Sequence, residues 1–298
     1  MNILVTGASG LIGSALVPFL TAGGHRVTRL VRSQPRPGEM AVHWDPAAGT
    51  LETSALEELD AVVHLAGENL AERWSAEKKT RIRDSRVKGT RLLSQALAQL
   101  ATPPKVLVSA SAIGYYGNRG EEILTEESPS GSGFLAEVCR AWEAATEPAL
   151  QKGIRVVHPR FGIVFSPAGG ALGKMMPVFR LGVGGMLGSG RQYVSWIALD
   201  DAIGAIHHMI MTETLQGPAN AVAPNAVTNQ EFTKTLGKVL GRPTMIPLPA
   251  FAARLMFGEM ADELLLASTR VRPAKLQATG YGFRYPELEV ALRHLLEK

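Results

Sequence analysis

Residues Thr6 to Gly13 read TGASGLIG, and they stand between an apolar run (Ile3, Leu4, Val5) and a stretch with helical spacing of apolar residues from Leu11 onward. Strand, glycine turn and helix in that order form the arrangement that a dinucleotide's pyrophosphate requires. Gly7 permits the tight turn out of the strand, Gly10 lets backbone N–H groups approach the phosphates, and Gly13 lets the helix pack close against the sheet. The helix N-terminus then faces the anion with unpaired donors, and Ser9, Leu11 and Ile12 complete the cradle. An ordinary strand-to-helix turn also uses glycine, so the order of the three parts decides for a nucleotide.

Outward from this point the pattern repeats. Apolar runs at Val27–Val31, Ala61–Leu65, Val106–Ser109 and Arg155–His158 read as strands buried on both faces, and helical spacing fills Ser75–Leu100 and Leu135–Gln151 between them. Such β-α-β-α alternation predicts a doubly wound α/β fold, a parallel sheet with helices on both sides and right-handed crossovers. Gln34 to Ser54 reads as an irregular insertion with one short strand near Val42. After Pro159 the glycines of PAGGALGK and GVGGMLGSG mark Gly162–Gly190 as loops, either plain turns or a mobile wall over a substrate. A helix is expected from Asp200 or Asp201 to about Met211. Beyond Asn225 the chain turns helical: Thr228 and Glu231 form a T-x-x-E capping box, Gly241 and Pro243 give a stop, and helices are expected over Ala250–Phe257 and Pro286–Leu296. The organisation this predicts is a nucleotide-binding domain over residues 1–224, with an insertion at about 162–195, and a smaller, mostly helical C-terminal lobe over 225–298.

A chain of 298 residues suits one large or two modest domains, on a prior of about 150 residues each. It contains no run of about 18 apolar residues that could span a bilayer. The first strand starts too close to Met1 for a secretion signal, so a cytoplasmic location and no membrane partner are expected. The single cysteine, Cys139, excludes an internal disulfide and a thiolate metal cluster, and it reads as a small apolar filler on a helix. No metal site is expected. Net charge is +4, and the most basic segment, Lys78–Arg91, contains Asp84, lacks interleaved aromatics and continues into an apolar helical repeat. It reads as a solvated helix face, not as a nucleic-acid surface.

The second strand ends LVRS, which puts Arg32 where an acidic residue would bind the ribose 2′-OH of NAD(H). Arg32, with Ser33 beside it, accommodates a 2′-phosphate and points to NADP(H). The segment VVHLAGE, Val62–Glu68, ends in small residues, so Leu65, Ala66 and Gly67 present backbone to the cofactor's ribose. On the following helix Arg86 shares a stripe with Ile82, Gly89, Leu93 and Leu97 and therefore points inward. A buried arginine needs a partner, either a cofactor phosphate or a protein carboxylate such as Glu68.

TGxxGxxG, the HLAG tetrad, VSASAIGYYG at Val108–Gly117 and the WIxxxD element at Trp196–Asp201 together resemble the extended short-chain dehydrogenases/reductases, which include nucleotide-sugar epimerases and dehydratases. Further strings narrow the resemblance: AGENL at Ala66, RW at Arg73, SR at Ser85, GSGRQ at Gly188, SWI at Ser195 and TNQEF at Thr228 are similar to the atypical YfcH-like "epimerase family" branch, which carries a C-terminal domain of unknown function. The resemblance implies a Rossmann-like fold, NADP(H) binding and a small-molecule substrate of unknown identity. Oligomeric state stays open.

Family chemistry uses a Ser and a YxxxK pair. The Tyr exchanges a proton with substrate while nicotinamide moves a hydride, and the Lys lowers the Tyr pKa. Ser111 matches the Ser. The YxxxK is missing: the corresponding helix reads GFLAEVCRAWE, Gly133–Glu143, with Phe134 and Val138, or Leu135 and Cys139, at the spacing. Three explanations stand. Tyr115 or Tyr116 supplies the acid/base group; or Arg160, Arg191 or Asp201 polarises or deprotonates the substrate; or the chain binds NADP(H) without turnover, as a redox sensor. Arg86 and Arg160 are further candidates for phosphate or substrate contacts.

Overall fold

A computed structural model describes residues 1–297. The first half holds β1 (Asn2–Thr6), α1 (Leu11–Ala22), β2 (Arg26–Val31), β3 (Ala41–Asp45), β4 (Thr50–Leu51), β5 (Ala61–His64), α2 (Ala76–Gln99), β6 (Val106–Ser109) and β7 (Ser111–Ala112). There follow β8 (Ile123–Leu124), α3 (Phe134–Ala144), α4 (Glu147–Gln151), β9 (Arg155–Phe161), β10 (Ile163–Phe165), α5 (Gly170–Arg180), β11 (Tyr193–Val194), β12 (Trp196–Ala198), α6 (Leu199–Met211) and β13 (Gly217–Ala221). The remainder holds β14 (Val227–Thr228), α7 (Asn229–Leu240), α8 (Ala250–Phe257), β15 (Arg270–Val271), α9 (Ala274–Ala278) and α10 (Leu288–Leu295).

The main sheet runs β13-β9-β6-β5-β1-β2-β3-β4, parallel except for the β3–β4 hairpin, with β7 added to β9. It is the doubly wound sheet the sequence predicts. Alternate side chains of a strand face opposite sides. Ile3, Val5 and Val63 accordingly pack under α1 and α6, while Leu4, Val62 and Leu107 pack under α2. Burial on both faces is why these strands are continuous apolar runs. From β1 the chain first builds outward through β2 and β3, then returns to build β5, β6, β9 and β13 on the other side. The reversal opens a crevice at the C-terminal ends of β1 and β5, where Thr6 is in register with His64.

Two expectations change. The helix over Leu135–Gln151 is split into α3 and α4, because Pro148 has no N–H to continue the ladder and instead sits in the first turn of α4. The segment Gly162–Gly190 is not all loop. Leu172, Met176 and Phe179, spaced four and then three apart, bury one face of α5. That face joins Phe165 and Trp196, stacked at 5.6 Å, and Phe232, Leu236 and Leu292 from α7 and α10 in one cluster. The insertion and the C-terminal helices therefore share a core. The capping box at Thr228 and the left-handed Gly241 form as expected. Among the described residues no helix is long and apolar enough to cross a membrane.

Candidate functional site

The glycine turn is built from inside and bared on the outside. Gly7 has φ +66°, and a Cβ there would lie 2.7 Å from the Leu65 carbonyl carbon. A Cβ on Gly13 would overlap the Gly7 carbonyl oxygen. The protein itself demands these two glycines. Gly10 differs: its φ of −78° suits any residue, and a Cβ would meet only the Gly7 oxygen, at 3.2 Å. Its missing side chain leaves the N-terminus of α1 open to an approaching anion, so the turn fits a dinucleotide's pyrophosphate. Ser9 and Gly10 are exposed, Leu11 and Ile12 partly so, and Leu65, Ala66 and Gly67 line the other wall of the crevice.

A buried polar chain fixes those walls. Thr6 Oγ1 accepts from the Leu65 and Ala66 N–H groups at 3.0 and 3.1 Å and lies 2.7 Å from His64 Nδ1. With both lone pairs taken, the hydroxyl must donate to Nδ1, which assigns the His64 proton to Nε2. Nε2 then donates to Thr90 Oγ1 at 2.9 Å, and Trp142 Nε1 donates to the same oxygen. Burial pushes the His64 pKa down to about 4, so the ring is neutral.

Arg32 stands exposed just past the end of β2, and its guanidinium has no partner among the described residues. Arg29, nearby, is 3.6 Å from Glu39. Arg86 points inward as its stripe requires. Its partners are carbonyl oxygens, Ile82 O at 3.0 Å and Glu68 O at 3.1 Å, while the Glu68 carboxylate pairs with the buried Lys78 at 2.8 Å. The carboxylate alternative for Arg86 is therefore not what forms.

The chemistry-bearing candidates meet in a second network. β7 and β13 flank β9 so that Ser111 and Asn220 are both in register with Arg160. Arg160 donates through Nε and one terminal nitrogen to the two oxygens of Glu143 at 2.8 and 2.9 Å, and through the other to Tyr116 Oη at 3.0 Å. Ser111 Oγ donates to Glu143 at 2.7 Å, and Tyr116 Oη donates to Asn220 Oδ1 at 2.7 Å. Burial disfavours the Arg160 charge, yet the Glu143 bonds outweigh it and hold its pKa above the ordinary value.

This geometry corrects two candidates. Arg160 is 2 % exposed and committed to Glu143 and Tyr116, so it is a structural cation and not a contact for phosphate or substrate. Tyr116 is fully buried with its hydroxyl held between Asn220 and Arg160, which removes it as an acid/base group, and burial pushes its pKa up against the pull of Arg160. Tyr115 is different: half-buried, it lays its ring 3.4 Å from the Arg160 guanidinium, and its hydroxyl has no bonding partner among the described residues. Asp201 is also removed, since its carboxylate is fully buried and accepts from Arg284 N, Tyr285 N and Tyr281 Oη. Arg191 is exposed and outside the network.

Two carboxylates went unseen in the sequence. Glu143 anchors the network above, and Glu263, in the wide helical turn Ala261–Leu265, accepts from Leu135 N at 3.2 Å at the start of α3. Gly133, at φ +101°, leaves room for it. Phe134 opens α3 and packs edge-on against Trp74 at 5.3 Å, and Leu135 beside it is buried, so an apolar side chain stands at either register of the missing YxxxK.

Residues 3–222 match the model of the NAD dependent epimerase/dehydratase family. The chain belongs to this family. Residues 248–295 match a domain of unknown function, DUF1731. An epimerase family protein of Mycobacterium bovis is 46 % identical over 291 residues, covering 97 % of this chain and 96 % of that one. A crystal structure of the human epimerase family protein SDR39U1 with NADPH has a TM-score of 0.89 at 36 % identity and covers both chains fully. The nucleoside-diphosphate sugar epimerase from Corynebacterium glutamicum gives a TM-score of 0.82 at 40 % identity, over 99 % of this chain and 58 % of that one. The family is described as NAD dependent, and the crevice at Thr6–Gly13 fits a dinucleotide of that class.

Proposed function

We propose that this chain binds NADP(H) in the β1/β5 crevice and is an oxidoreductase or epimerase-like enzyme that works without the usual Tyr–Lys pair. Arg32 carries the cofactor assignment. It is an exposed cation with no partner at the end of β2, beside Ser33, where a 2′-phosphate would be met by charge and a hydroxyl. The NADPH bound to the human relative supports the same choice. When bound, the nicotinamide gives or takes a hydride. Gly7, Ser9, Gly10, Leu11, Ile12 and Gly13 hold the pyrophosphate, and Leu65, Ala66 and Gly67 line the ribose. Ser111 is 2 % exposed and donates to Glu143, so it belongs to the same buried network as Arg160 and orients that network, not a ligand. Tyr115 is the remaining hydroxyl free to exchange a proton.

A second reading, a non-catalytic NADP(H) sensor, is favoured by the absence of a Tyr–Lys pair on α3, where Phe134 and Val138, or Leu135 and Cys139, hold the spacing. Calorimetric titration of Arg32→Glu tests the cofactor assignment. The variant loses about 10- to 100-fold in affinity for NADPH and comes to prefer NADH; unchanged selectivity refutes Arg32 as the reader. On a panel of nucleotide sugars and simple carbonyls, NADPH oxidation that Tyr115→Phe abolishes supports the enzyme. Tight binding with no oxidation on any of them supports the sensor.

A further inference from the structure

Two segments build an exposed apolar face. Residues 182–188 run beside 243–250: Leu248 N donates to Met186 O and Gly188 N to Leu248 O, each at 2.9 Å. A Cβ on Gly182 would lie 3.3 Å from Pro243. Leu181, at the end of α5, is thereby brought near Met245 and Ile246, and α8 follows at once with Phe251, Leu255 and Met256 turned to solvent on one side of the helix. Leu181, Met245, Phe251 and Leu255 are 78, 84, 72 and 76 % exposed. Scattered apolar residues are ordinary on a surface, but a cluster like this marks a contact.

The two segments that build this face also carry charge of one sign. Residues 170–191 and 241–258 include Lys174, Arg180, Arg191, Arg242 and Arg254 and no Asp or Glu. Arg254 pairs with Asp262 and Lys174 reaches the Ala71 carbonyl, whereas the side chains of Arg180, Arg191 and Arg242 have no partner among the described residues. At the edge of the face a cavity of about 210 Å³ is lined by Met186, Met245 and Pro247 on one side and by Thr233, Lys234 and Thr244 on the other.

We propose that this face docks on the surface of an anionic lipid bilayer. Phe251, Leu255 and their apolar neighbours enter the headgroup–acyl boundary, the free arginines meet lipid phosphates, and the cavity takes one headgroup between Lys234 and the two threonine hydroxyls. A second copy of the chain fits poorly. A two-fold contact sets a patch against the same patch of its copy, and neither segment holds a carboxylate to meet the free arginines. Sequence composition led to the expectation of no membrane partner because no spanning run exists, but a surface contact needs none.

Co-sedimentation of the full chain with vesicles tests this, using phosphatidylcholine alone and equal parts phosphatidylcholine and phosphatidylglycerol, at low salt. The protein is expected to pellet with the mixed vesicles only and to be released as salt is raised. Phe251→Glu with Leu255→Glu, at exposed positions where folding is unaffected and the thermal melt checks it, stays in the supernatant. Arg180→Gln with Arg242→Gln weakens binding about 30-fold. Failure to pellet with the mixed vesicles, equal binding to both lipids, or full binding by the glutamate variant overturns the proposal. So does a dimer in lipid-free light scattering that the glutamate variant breaks, because the face would then belong to a second copy.

Discussion

Acidification acts on the Thr6–His64–Thr90 chain through His64. The folded protein holds His64 neutral, with its pKa pushed from 6.5 to about 4 by burial, while the unfolded chain takes up the proton at its ordinary pH. Below pH 6.5 the unfolded state therefore binds more protons than the folded one. Stability owed to this group is complete above pH 6.5 and drains away as pH falls through 4. With roughly 1.4 kcal/mol for each pH unit between the two values, the displacement from 6.5 to about 4 amounts to about 3 kcal/mol at the acid end. His64→Gln cannot titrate, and it costs stability at neutral pH through lost hydrogen bonds. Urea unfolding of both proteins, followed by circular dichroism from above pH 6.5 down to 4, gives the comparison. The gap between wild type and variant should narrow steadily over that window. His158, His207 and His208, whose pKa values burial also lowers, are present in both proteins and cancel. Parallel stability curves would refute the assignment of a buried, neutral His64.

The glycine turn and the ion pair give two more tests. Gly10→Ala should cost less than about 1 kcal/mol in stability yet weaken NADPH binding by about 100-fold, whereas Gly13→Ala, forced onto the Gly7 carbonyl, should lose roughly 1–3 kcal/mol of stability; thermal melts and calorimetry separate the two, and equal behaviour would remove the ligand from the explanation of Gly10. Glu143→Ala strands the buried Arg160 charge and should cost about 3–5 kcal/mol, while Glu143→Leu combined with Arg160→Met should recover much of it. Additive losses in that cycle, read by urea titration, would mean the two side chains do not act as a pair.

What could be read from the sequence follows from how local each cause is. The strands were legible because both faces of a parallel sheet are buried, and the turn was legible because Gly7 and Gly13 are demanded by atoms only a few residues or one strand away. α5 was not: its glycines and Pro177 read as loop, and the Leu172, Met176 and Phe179 spacing matters only once α7 and α10 are there to cover it. Adjacent Tyr115 and Tyr116 could not be told apart, since which ring turns inward depends on Asn220, far along the chain.

The two missed carboxylates show the same limit where it bears on chemistry. A glutamate on a helix looks solvated until its partner is known, and Leu135 is 128 residues from Glu263. Glu143 is the more consequential of the two, because it decides which way the Ser111 proton points. Because Ser111 is only 2 % exposed, that bond is turned inward: Ser111, Arg160 and Tyr116 saturate one another through Glu143 and Asn220, and the hydroxyl left without a partner among the described residues is that of half-buried Tyr115. The acid/base chemistry proposed for this site therefore rests on Tyr115, and Tyr115→Phe is the substitution that decides it.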